Sequence, residues 1–315
     1  MVWEKNPSWW ATAALNLNVA PKYVVDIVNS SNNAALGELI SGGLDLDNNY
    51  LPGIAQVVNG GYGVTTYFAA APYMLSGNTA WLVPNTLKKP LDDPKFRKAL
   101  AESINVNDIV TKDYGNVVAA ANPTGLLPVW SKYIDAAQVT SLGFKYDVAQ
   151  AKALLAKAGH PNGFDVTLNH LAGYATYLDR FAELLKTQLA QAGIRVNIQA
   201  NQNAVWLDKQ NRADYELMDN EYAYQADPLF YLMPRPGRQG PTPPEMAALI
   251  TKAQSGSADD YLANLQKVAV MQDDLVYPDI TIAARHAWVS YGSKVVSAAP
   301  DATLSRTFLA NVALK

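Results

Sequence analysis

Aromatic and amide side chains gather in the parts of this chain that read as loops and strand ends. The aromatic members are Trp81, Trp130, Trp206, Tyr67, Tyr73, Tyr222 and Tyr224, with Asn78, Asn85, Asn122 and Asn220 close by in sequence. That pairing of residue types suits one chemistry. A sugar ring carries an apolar face of C–H groups and a rim of hydroxyls. Aromatic faces bury the first, and amides, being donor and acceptor at once, satisfy the second. The competing use of the same residues is core filling.

Signatures of covalent chemistry are missing. Gly60, Gly61 and Gly63 do not continue as a dinucleotide loop, because Thr66 stands where the last glycine would be. No P-loop, nucleophile elbow or zinc-protease helix occurs. His160, His170 and His286 are far apart and lack metal-ligand spacing, so each reads as a core or surface residue. The pairs Asp92-Asp93, Asp259-Asp260 and Asp273-Asp274 fall at helix ends, where capping and the helix dipole account for them. No catalytic residue, metal or cofactor is expected. A glycoside hydrolase is the alternative from a different class. Its mark would be two carboxyls about 5–10 Å apart across an aromatic cleft.

Bulk properties narrow the field further. A chain of 315 residues suits about two domains. Its apolar fraction of 49% and charged fraction of 17% are those of an ordinary globular protein. A net charge of −3 with no Lys or Arg run gives no field for nucleic acid or an anionic membrane. There is no cysteine, hence no disulfide and no thiolate. No stretch of about 18 apolar residues is present to span a bilayer, and MVWEKNPSWW has neither the basic nor the apolar region of a secretory signal.

The elements that must position the aromatics are organised around LDDPKFRKALAESINVNDIV (91–110). It reads as two helices in series. Asp92 or Asp93 caps the first, Pro94 opens it, and Phe96, Ala99, Leu100 and Ser103 recur on one face. Asn105 caps the second, with Asp108 three residues on and Gly115 placed to end it.

Upstream, Tyr23 to Val28 reads as a strand and Asn32 or Asn33 as the cap of a helix stopped by Gly42. VTTYF (64–68) and Thr79 to Val83 read as strands, and Lys88-Lys89-Pro90 as an extended linker. Residues 119–128 form an irregular loop. Downstream, a helix from Asp147 to Gly159 precedes a strand at 165–171. The clearest helix runs from Tyr177 to Ala192, with Leu178, Phe181, Leu185, Leu189 and Ala192 on one stripe. A strand at 195–199 completes a parallel crossover. A strand at 214–219, a Pro- and Gly-rich loop at 234–244, helices near 245–254 and 258–273, and a returning strand at 280–290 follow.

DDPKFRKALAESINVNDIV resembles the D-P-x-x-R-x-A-L signature of the solute-binding proteins of ABC importers, in the peptide/nickel-binding family (family 5). Further matches occur in the family's order: EKNPSWW (4–10), NNAALGELISGGLDL (32–46), YDVAQAKALLAKAG (146–159), FAELLKTQLAQAGIRVNI (181–198) and DYELMDNEYAYQADP (214–228). LPGI (51–54), YGVTTYFAAAPYMLSGNTAWLVPN (62–85) and YGNVVAAANPTGLLPVWSKYID (114–135) resemble its oligosaccharide-binding branch, which takes up cello-oligosaccharides and related β-linked glucans or mannans. Trp9, Trp10 and Trp288 lie in scaffold segments of that resemblance.

The resemblance implies an α/β, periplasmic-binding-protein-like (type II) fold of two lobes. Residues 1–88 plus 288–315 would form part of lobe one, and 89–287 a complete lobe two. Segments like EKNPSWW lie well inside family sequences, so it also implies an N-terminally truncated chain. The function implied is non-covalent capture of β-linked oligosaccharides for an ABC permease, outside the cytoplasm, in the periplasm or as a cell-surface lipoprotein. Closure would hinge near Lys88–Leu91 and Trp288. An uncovered lobe-one surface would favour a dimer of the truncated chain.

The ligand-binding residues are expected to be Trp81, Asn85, Asn78, Tyr67, Tyr73, Asn122, Trp130, Asn220, Tyr222 and Tyr224. An oligopeptide ligand is the alternative within the family. In peptide-binding relatives an aspartate near the segment resembling 221–228 pairs with the peptide ammonium, and its place here is held by Tyr224. A free carboxylate on Asp219 or Asp227 would restore that chemistry.

Overall fold

The computed structural model describes residues 1–315 except 30, 48–50, 52, 67, 72, 74, 116–118, 121–125, 127–132, 134, 136, 138–142, 173–175, 224–226, 233–239, 278, 288–289, 299–311 and 315. For 75–80, 119, 176–177, 221–223, 230–231, 281, 283–287 and 297–298 it describes the backbone alone. The described strands are β1 (Val2–Glu4), β2 (Tyr23–Val25), β3 (Leu46–Asp47), β4 (Thr65–Thr66), β5 (Leu75–Pro84), β6 (Ala119–Ala120), β7 (Phe164–Leu171), β8 (Ile194–Asn201), β9 (Leu217–Ala223), β10 (Ile280–Ala287), β11 (Ser290–Tyr291), β12 (Val295–Ala298) and β13 (Val312–Leu314). The fold is mixed α/β, and the chain divides into two compact units. One is Met1–Asn78 with Arg285–Lys315, the other Thr79–Ala284.

The smaller unit is built from short pairings. β1 and β2 run antiparallel, with Trp3 opposite Val24. β11 sits between β3 and β4, and β12 pairs with β13. Its helix Asn32–Ser41 is capped by Ser31, whose hydroxyl accepts from the Ala34 N–H, rather than by either asparagine. Both asparagines fall inside the first turn, so the cap is one residue earlier than the spacing suggests. Gly42, at φ 79°, closes the helix as expected. Ala35, Leu39, Leu51, Ile54, Val57 and Val64 form the core under it. β2 and β4 are shorter than the β-branched runs suggested.

The larger unit holds a six-stranded sheet in the order β6-β10-β5-β9-β7-β8. β7 and β8 are parallel over their full length, from Phe164 opposite Ile194 to Leu171 opposite Asn201, and β7 is parallel to β9. Between β7 and β8 runs helix Thr176–Gln191. Leu178, Phe181, Leu185, Leu189 and Ala192 are all buried, which is the stripe their spacing predicts. Each large member contributes about 1.5–3 kcal/mol by leaving water. The crossover ends on a backbone contact. A Cβ on Gly163, at φ +84°, would lie 2.1 Å from the Gly193 carbonyl oxygen, so no side chain fits.

The helix pair in the middle of the chain forms as its punctuation requires. Asp93 accepts from the Lys95 N–H, Pro94 opens helix Pro94–Glu102, and Asn105 accepts from the Asp108 N–H at helix Val106–Lys112. Phe96, Ala99, Leu100 and Ser103 are buried. Helices Val148–Lys157, Pro244–Ser255 and Ala258–Leu275 likewise occur where predicted. The linker-based boundary at residues 88 and 89 differs from the division after Asn78. The reason is β5, which extends beyond the predicted Thr79–Val83 and lies inside the larger sheet, where the Asn85 N–H donates to the Glu216 carbonyl.

Candidate functional site

In open α/β sheets, ligands collect outside the carboxyl ends of the parallel strands, where loops diverge and backbone dipoles end. In the larger unit those ends are Leu171 of β7, Asn201 of β8 and Ala223 of β9. Polar side chains cluster just inside them. His170 of β7 is buried, and both of its ring nitrogens face carboxylates. Nδ1 lies 2.5 Å from Oδ2 of Asp219 on β9, and Nε2 lies 2.8 Å from Oδ1 of Asp179 in the first turn of helix Thr176–Gln191. The second oxygen of Asp219 accepts the Leu171 N–H at 3.2 Å. Beside them the Asn201 amide donates to Oδ1 of Asn169 at 2.6 Å.

This arrangement fixes a protonation state. A neutral imidazole donates from one nitrogen only, whereas an imidazolium serves two acceptors. Burial by itself pushes His170 down, but the hydrogen bonds and charges of Asp219 and Asp179 outweigh it and hold the group above the usual histidine range. Burial pushes the Asp219 carboxyl up, against the pull of His170 and the Leu171 N–H. A histidine raised on folding contributes stability that is complete below its unfolded value of about 6.5 and lost as pH climbs through the folded value. Urea unfolding between roughly pH 6 and pH 9 is therefore expected to show falling stability at the alkaline end. His170→Gln should remove about 1–3 kcal/mol, the scale of hydrogen bonds to charged groups, and flatten that slope. An unchanged slope in the variant would dismiss the ion triad as its source.

This triad was not visible in the sequence as a constellation. His170 and Asp219 lie on separate strands, and only the β7–β9 register brings them together.

The residues expected to bind ligand fall into four groups. Trp81 is 3% exposed and belongs to the core cluster of the larger unit with Val83, Leu126, Trp206, Tyr215 and Met218. Asn85 is fully buried. Its Nδ2 donates to the carbonyls of Ala213 and Tyr215, both at 2.8 Å, and its Oδ1 accepts the Leu87 N–H. It fastens the end of β5 to the approach to β9. Tyr73 is buried in the smaller unit, with a left-handed backbone at φ 62° and its hydroxyl accepting from Asn59.

Asn220 is half-buried on β9, next to Asp219. Asn78 and Tyr222 lie on β5 and β9, with their side chains outside the described set. Tyr67, Asn122, Trp130 and Tyr224 lie outside the described residues altogether. The structure therefore brings Trp81 and Asn85 into one core region and leaves Asn220 at the strand ends.

Asp227 completes the electrostatic inventory. Its Oδ1 accepts from the Leu229 N–H at 2.8 Å and from the Tyr261 hydroxyl, whose pKa is pushed up by burial and by that bond. Among the described residues no three His, Cys, Asp or Glu side chains are grouped to hold a metal ion. No described helix is long and apolar enough to cross a membrane.

Comparison with known proteins adds the following. The profile of the bacterial extracellular solute-binding proteins, family 5 (middle region), matches residues 1–240. The glutathione-binding protein GsiB of Salmonella choleraesuis is 34% identical over 116 residues, which is 37% of this chain and 21% of that protein. The chain is similar to the periplasmic oligopeptide-binding protein of an oligopeptide ABC transporter from Thermotoga maritima, with 29% identity and a TM-score of 0.85. A second crystal structure of that protein, with mannohexaose bound, gives 30% identity and a TM-score of 0.79. Both alignments cover 93% of this chain and 60% of the solved chain.

Proposed function

The chain belongs to family 5 of the bacterial extracellular solute-binding proteins, and we propose that it acts in the substrate-binding component of an ABC importer for β-linked oligosaccharides. Capture is non-covalent, the component works outside the cytoplasm, and its partners are the ABC permease subunits. The family consists of substrate-binding proteins of ABC transporters rather than enzymes.

One observation carries the choice of ligand. The carboxylates able to replace the counter-ion of a peptide ammonium are both engaged: Asp219 by His170 and the Leu171 N–H, Asp227 by Tyr261 and the Leu229 N–H. A buried ammonium without a partner is penalised by several kcal/mol. A neutral glycan brings no such charge. Support also comes from the mannohexaose bound to the Thermotoga maritima relative. Asn220 at the strand ends is the described side chain proposed to meet hydroxyls, with Tyr222, Tyr224, Trp130 and Asn122 supplying stacking faces and amides in the same unit.

A second reading, oligopeptide binding, is favoured by the names of the relatives, an oligopeptide-binding protein and a glutathione-binding protein. Isothermal titration of the full-length protein separates the two. Cello- or manno-oligosaccharides are expected to give saturable heat, and di- and tripeptides none. Saturation by peptides alone would overturn the proposal.

Association of this chain is a smaller expectation. Trp3, Tyr23, Val25, Ile27 and Val28 are exposed in the smaller unit, an apolar surface of the kind that seeks a partner. We expect dimers by light scattering as concentration rises. A strict monomer would count against it.

A further inference from the structure

In the smaller unit two strand edges open onto one groove. β1 and β2 pair with Trp3 opposite Val24. The Lys5 N–H donates to the Lys22 carbonyl and the Asp26 N–H to the Met1 carbonyl, both at 2.8 Å. In an antiparallel ladder alternate residues spend both main-chain groups on the same partner. Lys22, Val24 and Asp26 therefore turn theirs to β1, and Tyr23, Val25 and Ile27 turn theirs away from it. β3 follows the same rule. The Gly292 N–H donates to the Asp45 carbonyl at 2.9 Å, and Asp47 stands opposite Ser290 of β11, so the main-chain groups of Leu46 turn away from β11. Among the described residues neither outer edge has a strand beside it.

Both edges line a single cavity of about 930 Å³. Residues 23–27 contribute from β2 and residues 43–47 from β3, with Val295, Val312 and Leu314 lining it as well. At roughly 3.4 Å per residue, stretches of this length match an inserted strand of about five residues. The lining includes the carboxylates of Asp26, Asp45 and Asp47 and, among the described residues, no Lys, Arg or His. Lys294 lies 3.3 Å from Asp45, which answers one of the three and leaves the groove negative.

We propose that this groove is a strand-acceptor site for an extended segment of another polypeptide, one that carries lysine or arginine. An unpaired edge is a template for a further strand. Main-chain hydrogen bonds to an inserted segment supply affinity, and its alternate side chains supply specificity. Here the apolar ones meet Val295 and Val312, and basic ones answer the aspartates. A second copy of this chain fits the groove less well. Its β2 already has β1 on one edge, so it can satisfy one wall only, whereas a segment free on both edges satisfies two.

The groove lies in the smaller unit, and the proposal does not rest on the oligosaccharide reading. Its test is isothermal titration of the chain with the end-blocked peptide Lys-Val-Thr-Val-Lys, together with amide hydrogen exchange of the mixture. Saturable heat with a Kd in the micromolar range is expected, with new protection at Tyr23 and Val25 on one wall and Leu46 on the other. A Glu-flanked counterpart should bind about ten-fold more weakly, and a peptide N-methylated at both valines should not bind. Val25→Pro removes an outward N–H at an edge position, where proline is tolerated, and spares the bonds of Val24 and Asp26 to β1. It should weaken binding about five-fold, the size of one net hydrogen bond. Asp26→Asn, which keeps an acceptor for the Trp3 indole N–H, is the second variant should that one fail to fold. It should narrow the preference for the Lys-flanked peptide about three-fold.

Absence of saturable heat, protection confined to one wall, or equal binding of the N-methylated peptide would overturn the site. Protection of the same amides in the full-length protein before peptide is added would assign the groove to its own polypeptide. Protection that grows with chain concentration alone would assign it to a second copy. Either result would overturn the partner proposed.

Discussion

Arg97→Met is expected to remove about 3–5 kcal/mol of stability, the range seen when a buried charged partner is deleted. The side chain is 4% exposed. Its Nε donates to the carbonyls of Leu275 and Val276 at 3.1 and 3.0 Å, one terminal nitrogen to Leu275 at 2.6 Å, and the other to Leu91 at 2.8 Å. Leu275 ends helix Ala258–Leu275, and Val276 caps it in a left-handed conformation. A helix end leaves carbonyls without intrahelical donors, and here a guanidinium supplies the donors. Burial lowers the Arg97 pKa to about 10, against the opposing pull of Asp93, Tyr277 and Asp92, so the group stays charged at neutral pH.

Methionine matches the stem in volume but leaves three carbonyl groups unserved, each at about 1–3 kcal/mol when buried. Lysine keeps the charge without the planar fork and should recover only part of the loss. Urea denaturation of the three proteins measures it. A loss below about 1 kcal/mol in the methionine variant would show that water serves these carbonyls adequately.

The second large effect concerns Trp81. Removing its ring should open a cavity among Val83, Leu126, Trp206, Tyr215 and Met218 and lower stability by about 3–5 kcal/mol, as for core Trp or Phe truncations. Had the ring faced a ligand, the loss would appear as about 1–3 kcal/mol of affinity. The two outcomes separate in one pair of measurements. Thermal unfolding of Trp81→Ala should show the large drop, and oligosaccharide titration of its folded fraction at low temperature should give nearly unchanged affinity. A stable variant with weakened binding would return Trp81 to the binding residues.

These two residues mark what the sequence makes legible. The helix around Arg97 was readable because Asp93, Pro94 and the Phe96–Leu100 spacing act within a few residues. The partners of Arg97 were not, since Leu275 and Val276 lie 178 and 179 residues away. Helix Thr176–Gln191 was equally plain from its stripe. Trp81 stays ambiguous in the sequence because an aromatic at a strand end fits a cleft and a core alike, and β5 runs beyond its apolar stretch. The His170 triad needed the sheet order, which no local pattern encodes. Ser31 shows the smaller error, a cap one residue off where three adjacent polar residues compete.

The order of the large sheet bears on when the chain can fold. β7, its crossover helix and β8 are contiguous in sequence, and pairing there closes only a short loop. β5 and β10 sit together in the middle of the sheet yet come from residues near 75 and near 280. Asn85 reaches across 128 and 130 residues to its carbonyl partners. Long-range pairings are slow because loop entropy is lost before contacts form. A ribosome adds roughly 5–20 residues per second, so many seconds pass between the emergence of β5 and of the strand that pairs with it. The central β5–β10 pairing therefore forms only once residues near 280 have been made, whereas the β7–β8 crossover needs only the contiguous stretch 164–201.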